Sequence, residues 1–178
     1  MMALSKIDAA NFLNGTIPQG NVANASLGAV TALPAAIPTG KVLQIINAHT
    51  GTQVTSNSAT YADTGLTASI TPSATSSKIL VLVQQSVGKY SGDTKGNIRV
   101  YRGSTEIGGA VAGREIGDTD SSATNIVGTG FSYSYQDSPS STSSVTYKTQ
   151  FNNNDAAGTI AVQYSSSQSY MTLMEIAG

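Results

Sequence analysis

The side chain with the widest chemical range in this 178-residue chain is its single histidine, His49, in "NAHTGTQ". Serine and aspartate are plentiful, so the ingredients of a Ser-His-Asp set are present. The flanking residues offer no nucleophile-elbow context, however, and with serine this abundant a chance pairing is easy. A turn or interface position is the expected role of His49. One histidine cannot build a histidine-rich metal centre. The absence of cysteine removes disulfides, thiolate metal sites and thiol nucleophiles together. "DTDSSATNIVGT" (118–129) opens like a calcium loop, but Ala123 stands where the loop needs glycine and Thr129 where it needs a bidentate glutamate. What survives is at most a loose calcium site at Asp118 and Asp120. "GGAVAGRE" is glycine-rich but lacks the Lys-Ser/Thr ending of a phosphate loop. Nothing in the spacing of the ten acidic residues marks a glycosidase pair. Phe131, Tyr133 and Tyr135 alternate with serine. Such a row is either a sugar platform or the core-facing side of a strand, and the alternation favours the core. No catalytic residue, resident metal or cofactor is expected, and the chain reads as a non-enzyme.

Composition narrows the partners. Charged residues are 11% of the chain, against a typical value of about 25%. Ser and Thr supply 45 of the 178 residues, so hydroxyls rather than ions dominate the polar surface. A net charge of −1 gives no general attraction to nucleic acid or to anionic lipid. It also leaves little repulsion between copies. The longest apolar run is far short of the roughly 20 residues of a membrane helix, and "MMALSKIDAANFL" lacks the apolar stretch of a secretory signal.

The elements that must position any site are strands. From Lys41 onward, "KVLQIIN" (41–47), "LTASIT" (66–71), "KILVLVQQSV" (78–87), "NIRVYRG" (97–103), "FSYSYQ" (131–136), "SVTYKTQF" (144–151), "TIAVQYS" (159–165) and "YMTLMEIA" (170–177) are β-branched, aromatic or alternating. Clusters such as Gly103-Ser104 and Asp137-Ser138-Pro139 separate them as turns. No stretch has a 3.6-residue period. Short alternating strands with turns about every ten residues predict an antiparallel β-sandwich or barrel. Residues 1–40 differ. They carry Pro18, Pro34 and Pro38 and a scatter of single apolar residues, among them Phe12, Leu13, Ile17, Leu27 and Leu33. Too few apolar groups are local to build a core. The segment is either a disordered tail or an arm that orders on a partner or on sister subunits, and the arm is the expected reading. The chain thus divides into an extended arm, 1–40, and a sandwich head, 41–178.

Several phrases, in this order, resemble a β-rich domain of structural proteins in tailed bacteriophages. They are "GKVLQ", a Thr-rich stretch ending in "ADTGL", "SITPS", "SKILV", "IRVYRGSTEIGG", "YSYQDSPSSTSSVTYKTQF" and "SYMTLMEIAG". The arm "LSKIDAANFLNGTIPQGNVANASLGAVTALPAAIPTGK" is similar to segments that precede such domains. The resemblance implies a virion structural or tail-fibre-like protein, located on the phage particle surface, capsid or tail, with no enzyme activity. It also implies attachment to other virion proteins through the arm. An alternative role is a host-receptor module at a fibre tip that binds a surface glycan through loops such as 89–96, 113–125 and 152–157. By analogy with trimeric jelly rolls, the expected fold is all-β, an antiparallel jelly-roll-like sandwich, and a homotrimer. Ile79, Leu80, Val81, Leu82 and Val83 leave neither face of their strand polar. "YMTLMEIA" repeats this with Met171, Leu173, Met174 and Ile176. One face of each strand is expected in the sandwich and the other against sister subunits.

Overall fold

Alternation of apolar and polar residues decides the architecture. The computed structural model describes residues 41–91, 94–107, 114–118, 127–154 and 158–178. In chain order the strands are β1 (Val42–Thr50), β2 (Val54–Ser56), β3 (Ala62–Ile70), β4 (Lys78–Ser91), β5 (Thr94–Arg102), β6 (Thr105–Glu106), β7 (Arg114–Asp118), β8 (Val127–Asp137), β9 (Val145–Asn153), β10 (Thr159–Val162) and β11 (Ser169–Ile176). Every pairing is antiparallel. One sheet runs β1-β11-β4-β8, with β10 and β2 continuing beyond β11 along the same edge of β4. The other runs β3-β9-β5, with β6 and β7 sharing the far edge of β5. Without the short β2, β6 and β10, the two sheets read β1-β11-β4-β8 and β3-β9-β5-β7. That is the strand order of a jelly-roll sandwich. The predicted all-β sandwich is what forms. The 1–40 arm, with Phe12, Leu13, Ile17, Leu27 and Leu33, lies outside the described residues, as do Asp120 and parts of all three candidate recognition loops.

The core lies between the sheets. Leu66, Ile70, Ile98, Val100, Tyr147 and Phe151 from one sheet meet Ile79, Val81, Val83, Met171 and Leu173 from the other, each no more than 2% exposed. Fully burying an aliphatic side chain of this kind stabilises the fold by about 1.5–3 kcal/mol. The "ADTGL" phrase now has a physical reading. The β3–β9 register shifts between Asp63 and Thr67. Gly65 takes φ +85° inside that irregularity, a left-handed value that a Cβ would strain. Thr64 turns inward and shares a buried 2.5 Å hydroxyl bond with Thr149.

Asp137 was expected as turn punctuation. It is instead the last residue of β8 and is buried. Arg102 on β5 offers one guanidinium nitrogen to its two carboxylate oxygens at 2.9 and 2.8 Å. Tyr147 on β9 donates its hydroxyl to Asp137 Oδ2 at 2.7 Å. The three side chains tie one sheet to the other.

β4 is long enough to take two neighbours on one edge. β11 pairs with it from Lys78 to Gln84, and β10 from Val87 to Ser91. Between them the ladder lapses. Ser169 Oγ accepts from the Ser86 amide at 3.0 Å, and the Gln163 amide donates to Ser86 O at 3.1 Å. Among the described residues Gln85, 2% exposed, finds no partner for either of its amide atoms, nor does Gln163 for its Oε1. A buried unpaired amide costs about 1–3 kcal/mol. Gln85→Met, similar in shape and without polar hydrogens, is therefore expected to stabilise the protein by about 1–2 kcal/mol, read as a higher denaturant midpoint. A lower midpoint would mean that a buried water engages the amide in solution.

Candidate functional site

The strands that the sequence marked as two-sided divide cleanly by parity. Ile79, Val81, Val83, Met171 and Leu173 point into the sandwich and are at most 1% exposed. They belong to the core of a single chain and are not available to a subunit interface as expected. Leu80, Leu82, Met174 and Ile176 alternate with them, are half-buried, and face outward. Sequence alone showed that both faces were apolar, but not which set packed inward.

Register assembles the outward residues into rows across the sheet. Ile45 on β1 stands beside Met174 on β11, and Met174 beside Leu80 on β4. Asn47, Thr172, Leu82 and Ser134 form the next row, and His49, Tyr170, Gln84 and Ser132 the one after. Toward the other end, Val42 pairs with Ile176 and Ile176 with Lys78. Ile45 and Tyr170 are each 50% exposed, a high value for such side chains. A shallow groove of about 440 Å³ runs over Leu82 between Tyr170, Thr172, Gln84, Ser132 and Ser134. His49 sits at its end, its ring 6.2 Å from that of Tyr170 between centroids. Among the described residues no carboxylate or serine bonds His49, so no triad forms there.

The aromatic row of β8 follows the core reading. Phe131 is buried and Tyr133 packs against the core. Tyr133 donates its hydroxyl to Ile107 O at 3.0 Å, and burial pushes its phenol up to about 12. Only Tyr135, at the sheet edge, is substantially open. The row therefore offers no continuous platform to solvent.

Two of the described acidic groups, Glu175 and Asp63, are engaged in holding the frame. Glu175 alternates inward with Met171 and Leu173 and is fully buried. Its Oε1 accepts three bonds at 2.7 Å, from the Ser73 amide, the Ser73 hydroxyl and the Ser77 hydroxyl, and its Oε2 accepts from Gln44 Nε2 at 2.6 Å. Burial raises the carboxyl, but these bonds outweigh it and hold the group down at about 2. Gln44, Ser73, Ser77 and Glu175 come from "GKVLQ", "SITPS", "SKILV" and "SYMTLMEIAG". Those four phrases thus meet in one hydrogen-bonded knot. Asp63 is exposed. Lys148 and Gln150, bonding it at 2.9 and 2.7 Å, hold its carboxyl below the usual range. Among the described residues no group of three or more His, Asp or Glu could hold a metal ion. Asp118 ends β7, and Asp120, the other residue of the expected loose calcium site, lies outside the described residues.

The opposite sheet presents a different surface. On its outer face Ser69 bonds Thr146 at 2.8 Å, Lys148 pairs with Asp63, and Arg99 pairs with Glu106 at 3.2 Å. The Arg99 guanidinium also lies 4.2 Å above the Tyr61 ring. Charges gather there and close on one another, as on a solvated face. The two sides of the sandwich are thus chemically unlike, and the nearly uncharged one is the candidate interaction surface. The chain matches no protein-family model and no curated protein sequence.

Proposed function

We propose that this chain is a non-enzymatic structural protein on the surface of a tailed-bacteriophage particle. It acts as a short fibre or decoration-type appendage: residues 1–40 attach it to other virion proteins and the sandwich head is displayed, as a homotrimer. The observation that carries the non-catalytic part is the use made of the buried carboxylates. Glu175 and Asp137 are buried and engaged by loop and cross-sheet bonds, so neither carboxylate is presented to a substrate. The virion assignment rests on the ordered phrases of the sequence, four of which the Glu175 knot draws together. A compact domain of this size spans only a few tens of Å, which suits a short appendage better than a long fibre.

The division of labour is testable. A chain beginning at Gly40 is expected to be soluble and β-rich by circular dichroism, yet not to attach to particles lacking the protein, whereas the full chain attaches. A head that bound such particles as well as the full chain would place attachment in the sandwich. Failure of both to bind any phage particle would remove the virion reading itself.

A further inference from the structure

We infer that the outward face of the β1-β11-β4-β8 sheet is the surface through which copies of this chain associate. The inference deepens the homotrimer part of the proposed function and does not depend on the virion part. Its centre is the in-register row Ile45–Met174–Leu80, flanked by Leu82 and Ile176. Such a face is too apolar to be left in water at no cost.

Charge selects the occupant. Among the described residues the face carries one formal charge, Lys78, at its margin and hydrogen-bonded to Ser138 Oγ at 3.0 Å. A nucleic acid, an anionic surface or a charged protein patch finds nothing complementary there. Another copy does, because the face it presents is equally uncharged and apolar, and around a threefold axis each copy's face meets its two neighbours. Hydrogen bonding points the same way. The outer face of the other sheet closes its own polar groups in pairs. On this face Thr172 donates its hydroxyl to Asn47 Oδ1 at 2.9 Å, but Gln84, Ser132 and Ser134, lining the groove beside the apolar row, make no side-chain hydrogen bond to a described residue. They are free to donate and accept across an interface. Four strands at about 4.8 Å spacing and roughly 25 Å long give about 500 Å² in projection. With the corrugation of the side chains added, this is the scale of one side of a stable interface, about 800 Å².

The test uses the full chain. Light scattering at tens of micromolar is expected to give about three times the 18.2 kDa of one chain. Met174→Lys or Leu80→Lys, each placing an ammonium on the face in every copy, is expected to return the mass to that of one chain with an unchanged β spectrum. Lys148→Glu, on the opposite face, is expected to leave the assembly intact. Because the chain has no cysteine, a single introduced thiol reports burial without relying on those variants. Ser134→Cys is expected to react with a thiol reagent at least tenfold more slowly than Ser69→Cys on the opposite face, and dilution should abolish the difference. Any assembly that shows this protection and is broken by the lysine variants supports the inference, whatever its copy number. A monomeric wild type, an assembly unmoved by both lysine variants, or equal reactivity of the two thiols overturns it. Since purified protein suffices, the result is independent of where the protein sits in a particle.

Discussion

Glu175→Ala is expected to lower the stability of the sandwich by about 3–5 kcal/mol at neutral pH, because it removes a fully buried carboxylate that accepts four hydrogen bonds, one of them from the buried Ser77 hydroxyl. Gln44 Nε2, the Ser73 amide and the hydroxyls of Ser73 and Ser77 all converge on this carboxylate. Through them it fixes the 71–77 connection to the end of β11 and to β1. The charge has its own signature. The folded carboxyl sits at about 2, below an unfolded value of about 4.3. A depressed folded value contributes stability that is fully present above the unfolded one and is lost as pH falls from about 5 toward 2. The full contribution of that shift is roughly 3 kcal/mol. Glu175→Gln keeps the shape but cannot ionise, so the gap in unfolding free energy between wild type and Glu175→Gln should narrow steadily from pH 6 to pH 2.5. Denaturant titrations at several pH values measure this. A gap that stays constant over that range would show that the charge of Glu175 contributes nothing.

Much of this architecture is legible in the chain because alternation reports burial directly. "LTASIT" and "FSYSYQ" display their inward sets residue by residue, and the turn clusters bracket them. Parity is less legible where both sets are apolar. In 79–83 either Ile79-Val81-Val83 or Leu80-Leu82 fits the core, and only packing against β3, β5 and β9 decides. Long-range polar partners are the least legible. Glu175 shares parity with Met171 and Leu173, which was the one local sign that it points inward. Its acceptors' partners lie at positions 44, 73 and 77, so nothing within the strand explains a carboxylate in an apolar row. Asp137 misled for a related reason. Next to Ser138 and Pro139 it has the composition of a turn, while its partners, Arg102 and Tyr147, lie in the other sheet. The interaction face is legible only in part, since the sequence supplies its apolar residues but not the rows that register makes of them.

Asp137→Ala is expected to cost about 2–4 kcal/mol, the second largest single effect, and most of that cost should be traceable to one partner. Arg102 is about a quarter exposed, with a side-chain accessibility of 28%. It can turn its guanidinium to water and also has Ser138 O at 3.3 Å, so its loss is mild. Tyr147 has no such recourse. Its ring is fully buried, and its phenol is raised first by burial and then by the hydrogen bond to Asp137, so it stays protonated and must find an acceptor. Removing the carboxylate leaves that hydroxyl unsatisfied between the sheets. A double-mutant cycle separates the two partners. Tyr147→Phe in the wild-type background should cost about 1–2 kcal/mol. In the Asp137→Ala background it should cost nothing or restore stability, because the orphaned hydroxyl is then gone. Arg102→Met should show a coupling to Asp137 below about 1 kcal/mol, as for a pair with one solvent-accessible member. If instead Arg102 carries the larger coupling and Tyr147→Phe is additive with Asp137→Ala, the link between the sheets is an ion pair at the rim. The buried hydroxyl would then contribute little to holding β9 against β8.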